Sequence, residues 1–400
     1  MKQLFQIGFD LALASLSPII SWFTLSLILD SRLINVFSIT YPLQFAWLML
    51  RDIFGVGANL VSIKVRNPKI VDAGIFTGLI FSGIIFGLVA LNIDKFIIFM
   101  NADPSIYRDF CLYITLQLWI QLVFCIILDK LYYQDENKTA NKYSVIFNLL
   151  NFIVLIGTSF LTKNSKIIIS ATLLTIFTFT LFVFIREVRR VSFKFNILRS
   201  IKINSMDFAE NLILFFVYLF GIGKAFSFGE EYALAITFVT LITDIQWDVA
   251  TAIPVKAKID IAKKRINFPK SYKNSYFLIF VLILSSIITF ISMKNFYDLN
   301  LGISVIFVII EYLAFLLYPQ YRLKLDFIQL KSSAKIATFI KSSAMTFRLL
   351  LVIVFGPITP LALSVAQVLA QLYQVIFVNL VFNRRYKILS TGRAIRKSQK

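Results

Sequence analysis

Residues 233–258, ALAITFVTLITDIQWDVATAIPVKAK, are long and apolar enough to cross a bilayer, yet they carry Asp244 and Asp248 near the middle. Thr237, Thr240, Asp244, Asp248 and Thr251 recur at steps of 3, 4, 4 and 3. That is the helical period, so the stretch predicts a membrane helix with one polar stripe on an otherwise oily rod. Each ionised carboxylate in hydrocarbon costs about 2.5–3.5 kcal/mol on insertion scales, so the stripe must face protein or a water-filled cavity.

The rest of the chain has the composition of a housing for such a cavity. Of 400 residues, 58% are hydrophobic and only 16% charged, and Phe alone contributes 42. A soluble domain carries about 25% charged residues; this composition predicts an all-α polytopic membrane protein. There are no histidines, which removes His-based acid–base, triad and metal chemistry. Cys111 and Cys125 fall in one predicted helix, about 21 Å apart along it, too far for a disulfide. No Ser or Cys stands beside a plausible base, so neither an enzyme nor a bound cofactor or resident metal is expected.

Apolar runs read against punctuation give twelve candidate spans, approximately 6–29, 34–63, 71–93, 108–131, 143–162, 166–185, 206–224, 232–256, 273–293, 301–321, 335–356 and 358–382. With the N-terminus in the cytoplasm, inside segments hold 32 of the 41 Lys and Arg, and outside loops hold seven. This positive-inside bias predicts a multi-pass protein of the plasma (inner) membrane with both termini cytoplasmic. It also assigns the net charge of +20 to topology and contact with anionic lipid rather than to nucleic acid.

The longest basic connector lies near the midpoint, and the halves on either side of it match. Phe37-Ser-Ile-Thr-Tyr41 matches Leu234-Ala-Ile-Thr-Phe238 at an offset of 197, and Asp129 falls on Asp326 at the same offset. Two matches at one offset favour a tandem repeat. The expected organisation is an N-terminal six-helix lobe over 1–190, a basic cytoplasmic linker over 191–205, a C-terminal six-helix lobe over 206–385, and a basic tail over 386–400. Parallel six-helix repeats related by an axis along the membrane normal point to a transporter with its substrate between the halves.

Three stretches then carry a family resemblance: Gly55 to Ala73, residues 131–151 (LYYQDENKTANKYSVIFNLLN), and Glu210 to Lys264. In order and spacing they resemble the multidrug and toxic compound extrusion (MATE) family, within a superfamily that also includes lipid-linked oligosaccharide flippases. The resemblance implies two six-helix lobes that alternate between inward and outward openings. It also implies export of cationic or amphipathic organic compounds against an inward Na⁺ or H⁺ gradient by a monomer in membrane lipid. Glu210 occupies the position of the family's acidic residue in helix seven; read locally, it is also an acid favoured by the helix dipole. The family's usual helix-one acid falls near Trp22 here, which moves the expected coupling site to the C-terminal lobe.

The candidate site is therefore a C-terminal acidic cluster of Glu210, Asp244, Asp248 and Glu311. Glu311 stands alone within its span. Asp244 and Asp248, one turn apart, share a proton, capture a transient Na⁺, or pair as a structural bridge with Arg51 or Arg348. Arg51, Asp52 and Arg348 are candidates for a gate or a structural pair, and the adjacent Arg51 and Asp52 point about 100° apart and so need separate partners. Trp47 and Trp247, each deep in a span beside charge, are candidates for an aromatic cavity wall. The competing expectation is a flippase for a lipid-linked oligosaccharide or related precursor, whose anionic headgroup calls for Arg and Lys.

Overall fold

The computed structural model describes residues 24–134, 136–188, 194–250, 252–262, 266–294 and 301–386. Ten helices among them are long and apolar enough to cross a membrane, which makes this a multi-pass membrane protein. The described residues up to Ser227 form one compact unit, and those from Phe228 form a second.

The first unit opens with α1 (Asn35–Arg51), which runs through a π-helical segment (Asp52–Gly57) into α2 (Ala58–Val65). Arg66 stops this long helix in the left-handed conformation, at φ 55°, and Asn67 precedes a proline, which disfavours helical backbone there. Ser62 ties the turn by donating to the Asn67 carbonyl at 2.9 Å, and Asn67 accepts from the Lys69 amide. There follow α3 (Lys69–Leu91), the short α4 (Ile93–Phe99), α5 (Pro104–Tyr133), α6 (Asn137–Leu161), α7 (Ser165–Glu187) and the short α8 (Ile197–Ile203).

Buried ions hold these helices at one end. Lys130 of α5 reaches Asp72 of α3 at 2.7 Å and also donates to the Glu187 carbonyl at the end of α7. Tyr143 of α6 donates to the Glu187 carboxylate at 2.8 Å. The outward faces are apolar: Leu174, Phe177, Leu181 and Ile185 of α7 are all exposed, as hydrocarbon requires.

The next helix, α9 (Ser205–Phe226), packs within the first unit, against α1. The reason is aromatic: Tyr218 stacks on Phe45 and meets Tyr41 edge-on, with ring centroids 4.8 Å apart in each case. Asn101, after α4, adds a hydrogen bond to the Gly223 carbonyl at 2.7 Å. Between α7 and α9 lies α8, whose Ser200 is fully buried.

The second unit comprises α10 (Glu230–Ala250), α11 (Ala252–Ala262), α12 (Phe268–Lys294), α13 (Leu301–Lys331), α14 (Ala334–Phe355) and α15 (Ala362–Tyr386). Its core is the packing of α15 on both α13 and α14. Phe268, Phe327 and Phe382 close one end of it with mutual edge contacts at 5.4–5.8 Å.

Candidate functional sites, one in each unit

In the first unit the charges gather where α1 turns into the π-helical segment. Arg51 forms two parallel hydrogen bonds to Asp129 of α5, Nε to Oδ2 at 2.9 Å and Nη2 to Oδ1 at 2.7 Å. This fork geometry suits guanidinium and carboxylate. Trp47, one turn earlier, lies under the guanidinium at 5.6 Å. Asp52 faces away from that pair and accepts from Asn204 at 3.0 Å and Asn211 at 2.8 Å. The two adjacent charges thus have separate partners, and Asp207 of α9 is close enough to act on Asp52 electrostatically.

The π-helical segment makes this arrangement fit. Within it, the Ile53 carbonyl accepts from the Ser200 hydroxyl of α8. A Cβ on Gly55 would lie 2.6 Å from Asp129 Oδ2, and one on Gly57 would lie 2.0 Å from Ser200 Oγ. Glycine is required at both places because another chain segment already occupies the space a side chain would take.

In the second unit the centre is Glu311 on α13. Gln367 of α15 donates to its carboxylate at 3.0 Å, and Gln367 in turn accepts from Nη2 of Arg348 on α14. The glutamine amide is thereby oriented at both ends, bridging a guanidinium and a carboxylate. Trp247 of α10 and Ser364 of α15 also hydrogen-bond Glu311. Glu311, Arg348 and Gln367 are all buried, and Lys341, Arg322 and Asp326 are further buried charges of this unit. Trp247 itself stacks on Phe315 at 4.1 Å and meets Tyr318 edge-on, so it is packed into the wall around the acid.

Glu210 is half-buried on α9, in the first unit, whereas Glu311 belongs to the second. Asp244 and Asp248 lie on α10, but their side chains are outside the described residues. Arg51 pairs with Asp129, and Arg348 with Gln367 beside Glu311. Sequence reasoning passed over Asn204, Asn211, Ser200 and the α15 amides. The last had a readable signal, since Ser364, Gln367, Gln371 and Gln374 recur at steps of 3, 4 and 3.

No protein-family model matches the sequence, and no curated protein matches it. Solved structures do match, along nearly the whole chain. The fold is that of transporters of the MOP superfamily. More particularly, it is the fold of multidrug resistance MATE family transporters. An inward-facing structure of such a transporter aligns with a TM-score of 0.64 at 16% identity, covering 98% of this chain and 96% of that one. An outward-facing structure aligns with a TM-score of 0.62 at 15% identity, with the same coverage. A MOP superfamily transporter from Pyrococcus furiosus, described as having a binding pocket of reverse polarity that suggests a different function, aligns with a TM-score of 0.62 at 14% identity, over 97% of this chain and 96% of that one.

Proposed function

We propose that this protein is a secondary active transporter that exports cationic or amphipathic organic compounds by alternating access, driven by inward movement of Na⁺ or H⁺. Likeness to both inward- and outward-facing transporters supports the alternating-access part. The observation that carries the coupling part is Glu311, a buried carboxylate in an apolar span, surrounded by Gln367, Ser364, Trp247 and Arg348. An intramembrane acid so supplied with hydrogen bonds is held ready to gain and lose a positive charge. Asp244 and Asp248, one turn apart on α10, are the proposed partners of Glu311 in the second unit, and Glu210 is a separate acid of the first. The reading places the protein in the plasma membrane as a monomer with both termini cytoplasmic.

The test is efflux of an ethidium-type dye from vesicles under an imposed ΔpH or ΔNa⁺. Glu311→Gln is expected to abolish gradient-driven efflux while leaving dye binding intact. Unchanged coupling in Glu311→Gln, Asp244→Asn and Asp248→Asn alike would sink the acidic-site reading.

A second reading, a flippase for an anionic lipid-linked oligosaccharide, is favoured by one observation. Three cationic side chains, Arg322, Lys341 and Arg348, are buried in the second unit. No dye transport under either gradient, together with translocation of a labelled lipid-linked sugar, would select it.

A further inference from the structure

We propose that the interior of the second unit binds a file of ordered water molecules along one face of α15, from Glu311 and Gln367 to Gln374, and that these waters are the route by which Glu311 exchanges protons. The water site stands on hydrogen-bond accounting; the proton route rests on the reading of Glu311 as the coupling acid.

Ser364, Gln367, Gln371 and Gln374 share one helical face, and all four are buried. Gln367 and Ser364 are engaged at Glu311. Deeper along the same face, Oε1 of Gln371 and both Oε1 and Nε2 of Gln374 have no hydrogen-bond partner in the protein, and Gln374 is 0% exposed. A primary amide carries two donors and two acceptor lone pairs, and sealing it in a membrane span without partners is costly.

Water resolves this because one molecule both donates and accepts, and a buried water typically makes about three such bonds. Gln367 and Gln374 are separated by about 10 Å of helix rise. At hydrogen-bond spacings of about 2.8 Å, three or four waters fill that interval. The file begins at the carboxylate that Gln367 holds, so its first member is within reach of Glu311.

Neighbouring charges set what the file can carry. Arg348 stands at its Glu311 end, and Lys341 lies two turns further along α14; both are buried. Two cations disfavour a resident hydronium, so a proton crosses the file without dwelling on it. Arg322 and Asp326 belong to the far end of α13 and pair with each other at 3.4 Å.

The experiment uses the full chain in lipid nanodiscs, with X-ray radiolytic hydroxyl labelling read by mass spectrometry. Tyr318 is seven residues beyond Glu311 on the same face of α13 and is buried, and the pairings of Glu311 with Gln367 and of Lys324 with Asn379 set the register that brings it level with Gln374. Bound water beside it predicts labelling in spite of burial, lost in Gln374→Leu. The same substitution is expected to lower the unfolding midpoint, because it discards hydrogen bonds that water makes; a dry amide predicts the reverse. An unlabelled Tyr318, or a raised midpoint, overturns the water site.

Proton-driven transport in Gln374→Leu is expected to fall about tenfold, equivalent to about 1.4 kcal/mol in barrier. A wild-type rate overturns the proton route. Should Glu311→Gln leave coupled transport intact, the coupling reading fails on its own, and the labelling and midpoint still judge the waters.

Discussion

At the scale of single residues, the first unit depends on contacts that tolerate no added atom. Gly57→Ala puts a methyl group where Ser200 Oγ and the Asp52 carbonyl already lie, the latter at 2.7 Å. The substitution is expected to destabilise by about 1–3 kcal/mol, the usual cost of overpacking. Adding Ser200→Gly should recover part of that loss and not all, because the Asp52 carbonyl belongs to the backbone. Thermal unfolding in detergent of the two single variants and the double variant reads the difference. Asp129→Asn removes the partner of Arg51, whose side chain is 34% exposed. Partial solvation softens the loss from that of a sealed pair to about 2 kcal/mol. A double-mutant cycle on Arg51 and Asp129 measures it, and a coupling near zero would show the fork to be incidental.

At the scale of elements, ions weld the ends of α3, α5 and α7. Lys130 and Asp72 are each 10% exposed, so neither has solvent to fall back on. Lys130→Met leaves a buried carboxylate unpaired and is expected to cost about 3–5 kcal/mol, whereas Lys130→Met with Asp72→Leu should cost much less, since no lone charge remains. Ser200 plays a different part, fastening α8 to the π-helical segment. Ser200→Ala is expected to speed amide hydrogen exchange across Ile197–Ile203, with little change in the α5 core. The helices were legible in the sequence because hydrocarbon imposes long apolar runs, and Glu311 was legible because a lone charge interrupts one. The α15 stripe obeys the same periodicity as the Thr and Asp stripe of 233–258, but glutamine is uncharged and the reading followed charge. Asn204, Asn211 and Ser200 were illegible for another reason. They act only because a short helix in a basic stretch, and the start of the helix after it, fold back on a widened turn about 150 residues away, and no local period encodes that.

At the scale of the whole molecule, the charge distribution makes a prediction that no single contact does. With 32 of 41 basic residues in or beside the expected inside segments, a cysteine placed at Asn164 should react with an impermeant maleimide in intact cells. One placed at Asn196 should react only after permeabilisation. Cys111 and Cys125 are free and must be replaced first. Reversed labelling would invert the topology. The repeat is also unequal in its chemistry. Asp129 and Asp326 correspond at the offset of 197, yet Asp129 pairs with Arg51 from another helix, while Asp326 pairs with Arg322 one turn away on its own helix. The position matching Arg51 is Asp248, so the second unit lacks the cation that would reproduce the first unit's bond.

The π-helical turn has one more implication, for phase. A turn closed by i→i+5 bonds holds one residue more than the α-helical turn it replaces, so everything after it is rotated by about 100° relative to an uninterrupted helix. Asn59, which bonds back to the Gly55 carbonyl, and Ser62, which ties off the helix end, owe their bearings to that surplus residue. A relative with an unbroken helix here should be one residue shorter between the counterparts of Arg51 and Asn59. Its alignment with this chain should open a single-position gap in the middle of a membrane span, where insertions are otherwise least tolerated.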